Sequence, residues 1–328
     1  MIEVLAPGPL SSLQDLGRHG FQRYGVGPAG AMDDWSHRLA NLLVGNLPEE
    51  ATLEITLLGP SLRFHEATLI AITGADLGAR LNDQPVTPGW PLRVAAGSLL
   101  AFGRRRLGCR AYLAVRGGYA VAPVMGSRST ARRAGFGGFE GRALRKGDRL
   151  AIGPSSDVTA RLPPAPPAGF VSAECPAPGP APLRVLTGQQ WAQFSAEAQQ
   201  RLLGEAYVVH QQSDRMGYRL SGPPLALRAP LEMISEAVAF GTVQVPPDGQ
   251  PIVLMADRQT TGGYPKIASV LSIDLPRLAQ AVPGDTLRFA PSTLAEARVL
   301  DAARESTLAR LQREMTELLE TGECRALI

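Results

Sequence analysis

The sequence predicts a mainly β protein of two domains, and three observations predict it. At 328 residues the chain is longer than one core usually holds. Its 35 glycines and 28 prolines, with aromatics at 5%, suit short strands joined by tight turns better than a helical bundle. Pro163-Pro164-Ala165-Pro166-Pro167, then a proline at every other position from Pro176 to Pro182, marks a stiff connector. The expected parts are therefore a β domain at 1–160, a connector at 161–182, a β domain at 183–291 and an amphipathic helix at 292–328.

In chain order, Ile2 to Leu5 reads as an opening strand closed by Pro7-Gly8-Pro9. Leu10 to Asp33 reads as a long glycine-rich loop, and a loop so long is functional or clamped by its own packing. Asp33-Asp34 caps a helix from Trp35 to Leu43, with Leu39, Leu42 and Leu43 at helical spacing and Gly45-Asn46 as its stop. From Thr52 to Gly153 the signals are strands: Leu62–Phe64, Thr68–Thr73, Leu92–Val94, Leu99–Phe102, Ala111–Val115 and Arg149–Ile152. Together they predict a barrel or sandwich. The second half opens with a strand at Leu183–Leu186 and a helix at Gln189–Leu203, with Trp191, Phe194, Ala198 and Leu202 on one face. Strands then resume to Phe289. The tail from Leu294 to Leu319 carries Leu300, Leu308, Leu311, Met315 and Leu318 on one helical stripe. Lys146-Gly147-Asp148-Arg149-Leu150 and Pro283-Gly284-Asp285-Thr286-Leu287 echo one another, which raises the question of a duplication.

The chemistry is expected between Val243 and Val270. Pro246-Pro247-Asp248-Gly249 is a turn, and Ile252 to Ala256 is an apolar run of the kind buried on both faces of a sheet. The run breaks into Asp257-Arg258-Gln259-Thr260-Thr261, then Gly262-Gly263, where the backbone can approach a ligand closely. Lys266 follows, one of only two lysines in the chain with Lys146. Such sparing use of lysine suggests a position that needs a compact ammonium. Asp257, Arg258 and Lys266 are the candidate catalytic residues. Asp257 would handle a proton, and Arg258 or Lys266 would neutralise developing charge. Arg18, Ser127, Arg128, Arg215, Thr260, Thr261, Gly262 and Gly263 are candidate substrate-binding residues, the arginines for a carboxylate or phosphate. In Gly126-Ser127-Arg128-Ser129-Thr130 the hydroxyls serve either an anion or the local backbone. Gly135 to Gly141 is a glycine-rich hairpin or an anion cradle.

Several classes are excluded. A net charge of +3 without a long basic run argues against nucleic acid, and no apolar run is long enough to span a membrane. Neither a P-loop, a Gly-x-Ser-x-Gly elbow nor a His-Glu-x-x-His occurs. His19, His37, His65 and His210 lack ligand spacing, so no metal is expected. Cys109, Cys175 and Cys324 are odd in number and far apart, and the start lacks a signal peptide, which together fit the cytoplasm.

Gln14-Asp15-Leu16-Gly17-Arg18, Gly30-Ala31-Met32-Asp33, Leu43-Val44-Gly45-Asn46 with Leu53-Glu54, Thr73 to Leu77, Gly126 to Thr130, Ser213 to Leu220 and Val243 to Ala268 together resemble one family. It is the group of C-type subunits of 5-oxoprolinase, also described as KipA-like, biotin-dependent carboxyltransferase-like or allophanate hydrolase subunit 2. The resemblance implies two cyclophilin-like β-barrel domains. It also implies work with a KipI-like B-type partner and an A-type partner of the same 5-oxoprolinase to open 5-oxoproline to glutamate. ATP is the implied cosubstrate, bound on the B-type partner or shared with it, and no biotin is attached to this chain. Two alternatives come with the resemblance. One is a non-catalytic regulator that antagonises a kinase-inhibitor homologue; the other is a carboxyltransferase component of a urea carboxylase-type system. Gly27 and Ala29 depart from the family's Pro and Ser, which removes a hydroxyl from that loop.

Overall fold

A computed structural model describes residues 1–154, 176, 179 and 181–321. Most of the expected connector, with Cys175 and Cys324, lies outside the described residues. Contacts divide the chain into two compact units, one of residues 1–17, 33–176 and 303–328, the other of 18–32 and 177–302.

The first unit contains β1 (Ile2–Ala6), β2 (Ser11–Gln14), α1 (Asp34–Leu43), β3 (Thr52–Thr56), β4 (Ser61–Phe64), β5 (Thr68–Asp76), β6 (Arg80–Leu81), β7 (Gln84–Pro85), β8 (Pro91–Val94), β9 (Leu99–Ala101), β10 (Leu107–Val115) and β11 (Arg149–Leu150). They form two sheets, ordered β11-β1-β4-β9-β6-β7 and β2-β3-β10-β5-β8. Alternate residues such as Ile2 and Val4, Leu53 and Ile55, and Leu62 and Phe64 enter one core, as the two-residue period of a strand requires. Asp33 caps α1 by accepting the Ser36 N–H at 2.8 Å. The expected loop from Leu10 is in fact a strand at its start. Ser11, Ser12, Leu13 and Gln14 are all buried in β2, and Ser11 Oγ donates to the Pro7 carbonyl at 2.7 Å.

The second unit contains β12 (Leu183–Thr187), α2 (Ala196–Gly204), β13 (Tyr207–Val209), β14 (Gly217–Ser221), β15 (Glu236–Ala237), β16 (Thr242–Gln244), β17 (Ile252–Leu254), β18 (Thr261–Gly262), β19 (Lys266–Val270), α3 (Leu275–Ala279), β20 (Thr286–Leu287) and β21 (Phe289–Pro291), and α4 (Leu294–Thr321) starts within it. Eight strands form one sheet, β20-β13-β14-β17-β16-β19-β12-β21, beside a two-stranded ribbon of β15 and β18. The two edge strands, β20 and β21, are separated in sequence only by Arg288, so the sheet curls into a nearly closed barrel. Met32, from the early segment 18–32, is buried in this barrel's core. The protein is thus mainly β with few short helices and a long C-terminal one, as expected.

The helix expected over Gln189–Leu203 is broken. Trp191–Gln193 forms a 3-10 turn, Phe194 is extended, and α2 starts afresh with Ser195 Oγ accepting the Ala198 N–H at 3.1 Å. The four apolar positions matched a continuous helical period only because the turn and α2 bury the same side. In α4, Leu308, Leu311, Met315 and Leu318 are buried, whereas Leu300 is half-buried. Thr293 and Glu296 close its start reciprocally, with Glu296 N–H to Thr293 Oγ1 at 3.2 Å and Thr293 N–H to Glu296 Oε2 at 2.9 Å.

The sequence echo corresponds to a shared hydrogen-bond pattern. Val4 and Gly147 exchange bonds through Val4 N–H to Asp148 O (2.9 Å) and Gly147 N–H to Val4 O (2.8 Å). Val209, Gly284 and Asp285 repeat both bonds at 2.9 Å. Gly147 (φ +90°) and Gly284 (φ +95°) each supply the left-handed conformation that the turn requires.

Asp274 pins β12 to the segment before α3. Burial opposes its ionisation, but Arg184 overrides this through its backbone N–H (2.7 Å), Nε (2.8 Å) and Nη2 (2.7 Å), so the carboxyl sits below its ordinary value. A depressed folded-state pKa contributes stability above the unfolded value of about 4, and that stability is lost as pH falls through the folded value. Asp274→Asn is therefore expected to lower the melting temperature near neutrality and to flatten its fall on acidification. An unchanged slope of melting temperature against pH in the variant would remove Asp274 from the acid transition.

Candidate functional site

Nine of the eleven candidate residues belong to the second unit: Arg18, Arg215, Asp257, Arg258, Thr260, Thr261, Gly262, Gly263 and Lys266. Their positions follow from β17. Pro246 to Gly249 turns as expected, with Gly249 N–H bonded to Pro246 O at 3.0 Å and Gly249 at φ +76°. Val253 to Ala256 are buried, and the chain then leaves the barrel wall at Asp257.

Asp257 does not stand as a free carboxylate. Arg215 grips both its oxygens, Nε to Oδ2 and Nη2 to Oδ1, each at 2.9 Å, with side chains 4% and 12% exposed. The same Arg215 Nη2 donates to the Gly30 carbonyl at 2.7 Å, and Asp257 N–H donates to the Arg215 carbonyl at 2.7 Å. The fork thereby ties the early glycine loop to the site. Arg18, fully buried, bonds through its N–H to the Pro28 carbonyl at 2.7 Å. A Cβ on Gly27 would lie 3.3 Å from the Arg258 carbonyl, so this loop passes directly over that residue. Ala29 there adopts φ +54°, a left-handed conformation that costs a non-glycine residue about a kcal/mol.

Arg258 and Lys266 differ in electrostatic state. Lys266 Nζ donates to Glu236 Oε2 at 2.7 Å and to Gln189 Oε1 at 3.1 Å, with the lysine 8% and the glutamate 48% exposed. Arg258 is 9% exposed and, among the described residues, donates only to backbone, Nε to Val238 O at 3.4 Å and Nη1 to Met255 O at 3.3 Å, while its guanidinium lies 5.6 Å from the Phe240 ring centre. Burial without a compensating carboxylate lowers its pKa to about 10. Both cations thus touch one strip of chain, Glu236 to Phe240.

The ribbon flanks this strip. Glu236 pairs with Gly262 and Ala237 with Thr261, and Val238 N–H donates to the Thr260 carbonyl at 3.2 Å. The expected open space beside Gly262 is taken: a Cβ there would lie 2.6 Å from Gln244 Nε2. Gly263 is exposed, with Ser235 Oγ its nearest neighbour at 3.5 Å from a notional Cβ.

Ser127 and Arg128 belong to the first unit. Asp15 is the carboxylate that their cluster holds. It accepts from Ser127 Oγ at 2.7 Å, from Ser129 Oγ, from the Arg128 N–H and from the Gly17 N–H at 2.8 Å. The Arg128 side chain turns elsewhere, to Val121 O at 3.2 Å and Glu50 Oε2 at 3.4 Å. In the Gly135–Gly141 segment, N–H groups go to nearby carbonyls, Gly135 to Ala131 O and Gly141 to Gly137 O. His37 is fully buried against Thr52 Oγ1 at 2.8 Å, and burial takes its pKa down to about 4, so it is neutral at neutral pH.

The residues that sequence reasoning missed are Glu236, Gln189 and Phe240. Glu236 lies in an exposed stretch without periodicity, and Phe240 beside Gly241 reads as ordinary turn flank; neither carries a motif.

Comparison with known proteins agrees with this architecture. The chain is 39% identical over 317 residues to the C-type subunit of 5-oxoprolinase from Haemophilus influenzae, covering 97% of this chain and 99% of that one. It is 41% identical over 303 residues to the Escherichia coli protein of the same name, covering 90% and 93%. The crystal structure of the Kluyveromyces lactis urea carboxylase superposes with a TM-score of 0.84 at 33% identity, over 94% of this chain but only 29% of that protein. Residues 24–291 match the family described as carboxyltransferase domain, subdomain A and B, and the chain belongs to that family.

Proposed function

We propose that this chain is the C-type subunit of an ATP-dependent 5-oxoprolinase and that its second unit carries the substrate site. The observation that carries this is the alignment along nearly the full length of two relatives named as that C-type subunit, set against a match to less than a third of the urea carboxylase. In this reading a B-type and an A-type partner complete the enzyme, and 5-oxoproline is opened to glutamate.

The residues suit a small monoanion better than a nucleotide. Of the two cations along Glu236 to Phe240, Lys266 already has a carboxylate, which leaves one guanidinium to meet an incoming charge. A triphosphate needs several. In this reading ATP sits on the B-type partner or is shared with it, and this chain supplies groups that hold the substrate and act on it. Asp257, both oxygens engaged, holds Arg215 and through it the Gly30 loop. Lys266 presents a compact ammonium to charge growing on the lactam oxygen. Glu236, half exposed with Oε2 on Lys266, takes over the proton-accepting role expected of Asp257.

Deleting the gene and supplying 5-oxoproline as the sole nitrogen source tests the reading. Growth should fail and return with a plasmid copy. Normal growth of the deletion strain would favour a regulatory binding protein instead.

A further inference from the structure

Arg258 is the feature that the fold leaves unbalanced. Its guanidinium has five N–H donors. Two of them go to the Val238 and Met255 carbonyls at 3.4 and 3.3 Å, and among the described residues no acceptor takes the other three. Nor does any carboxylate there neutralise it, while the other buried cations beside it have partners: Arg215 has Asp257, and Lys266 has Glu236. Burying an unpaired charge costs stability, and a chain built with 33 basic and 30 acidic side chains has no shortage of partners to place there. The walls are also shaped around it. Phe240 offers a ring face on one side, and the Gly27 backbone passes over the residue with no side chain in between.

We infer that Arg258 is the seat of the substrate's carboxylate, gripping it with the donors that the protein leaves unused, an assignment that rests on the oxoprolinase reading for the rest of the ligand. Lys266 then serves the other end of the substrate, because its charge is already met by Glu236. Of the arginines first considered for the carboxylate, Arg215 is committed to Asp257 and Arg128 to Glu50 and Val121. A planar carboxylate matches the flat guanidinium fork in two parallel charge-assisted bonds, which a neutral carbonyl cannot make. The seat therefore selects small carboxylic acids over their amides and esters.

The test titrates the chain, assembled with its B- and A-type partners and without ATP, against three probes by calorimetry: 5-oxoproline, its carboxamide, and acetate. In the native protein 5-oxoproline should bind more tightly than the carboxamide. Arg258→Met should weaken 5-oxoproline by about tenfold to a hundredfold, the scale of losing charge-assisted hydrogen bonds, and change carboxamide binding less than about twofold. Arg258→Lys, which keeps the charge but not the fork, should fall between. The melting temperature separates this from a purely structural arginine. Methionine should leave it unchanged or raise it, since a desolvated charge is replaced by an apolar side chain of similar length. Added 5-oxoproline should raise the melting temperature of the native protein and not that of Arg258→Met. If 5-oxoproline is the wrong substrate but the seat is right, acetate will bind as well as 5-oxoproline and will still depend on Arg258. Retained 5-oxoproline affinity in Arg258→Met, equal weakening of acid and amide, or no carboxylate binding to the native protein would overturn the assignment.

Discussion

Asp257→Ala is expected to destabilise the protein by about 3–5 kcal/mol, the cost of breaking a buried ion pair. The partner is Arg215, whose side chain is only 4% exposed and loses both carboxylate bonds at once. Against a total stability of about 5–15 kcal/mol that loss is severe. The Gly30 carbonyl hangs on the same guanidinium, so the 18–32 segment should loosen with it. Asp257→Asn keeps the shape without the charge and should cost less. A double variant that replaces the pair by Leu and Met should recover much of the loss, because the pair's worth lies in mutual compensation. Urea unfolding of the four proteins decides the matter. A shift below about 0.5 kcal/mol in Asp257→Ala, the range of a plain surface change, would show that the fork is not what holds this corner.

Lys266→Ala and Lys266→Arg are both expected to reduce turnover of the assembled enzyme by about two to three orders of magnitude, the usual loss when one preorganised charge is removed. Arginine should fail as badly as alanine. The ammonium is held by single-point hydrogen bonds to Gln189 and Glu236, a geometry that a planar guanidinium fork does not reproduce. Stability should barely move, since Glu236 is half exposed and such pairs contribute about 0–1 kcal/mol. Glu236→Gln should reduce turnover while leaving Lys266 in place. Steady-state rates set beside melting curves give the answer. Near-normal turnover in Lys266→Arg would make Lys266 a solvent-reaching lysine at a strand end.

Much of the fold was legible because glycine and proline punctuate the strands. Lys146-Gly147-Asp148 and Pro283-Gly284-Asp285 even exposed the pattern that the two units share. What failed to show was polar or interrupted structure. Strand β2 hid because three of its four buried side chains are polar, so no apolar alternation marked it. The break before α2 hid because Trp191 and Phe194 fall in phase with Ala198 and Leu202, although Ser195 carried a capping signal. At the site, the block from Asp257 to Lys266 stood out by residue type, but its electrostatic states did not. Which cation is neutralised depends on the register of a two-residue ribbon, Glu236 against Gly262, and no sequence pattern encodes that pairing. Likewise, Asp15 fills the Ser127–Ser129 cluster from 112 residues away.

The most direct test of the central claim is turnover by the reconstituted enzyme. This chain, mixed with the B- and A-type subunits that the proposed function gives it and with ATP, should release phosphate and glutamate together, only when 5-oxoproline is present and only when this chain is included. Equal phosphate release without this chain, or turnover that depends on urea or biotin instead of 5-oxoproline, would contradict it.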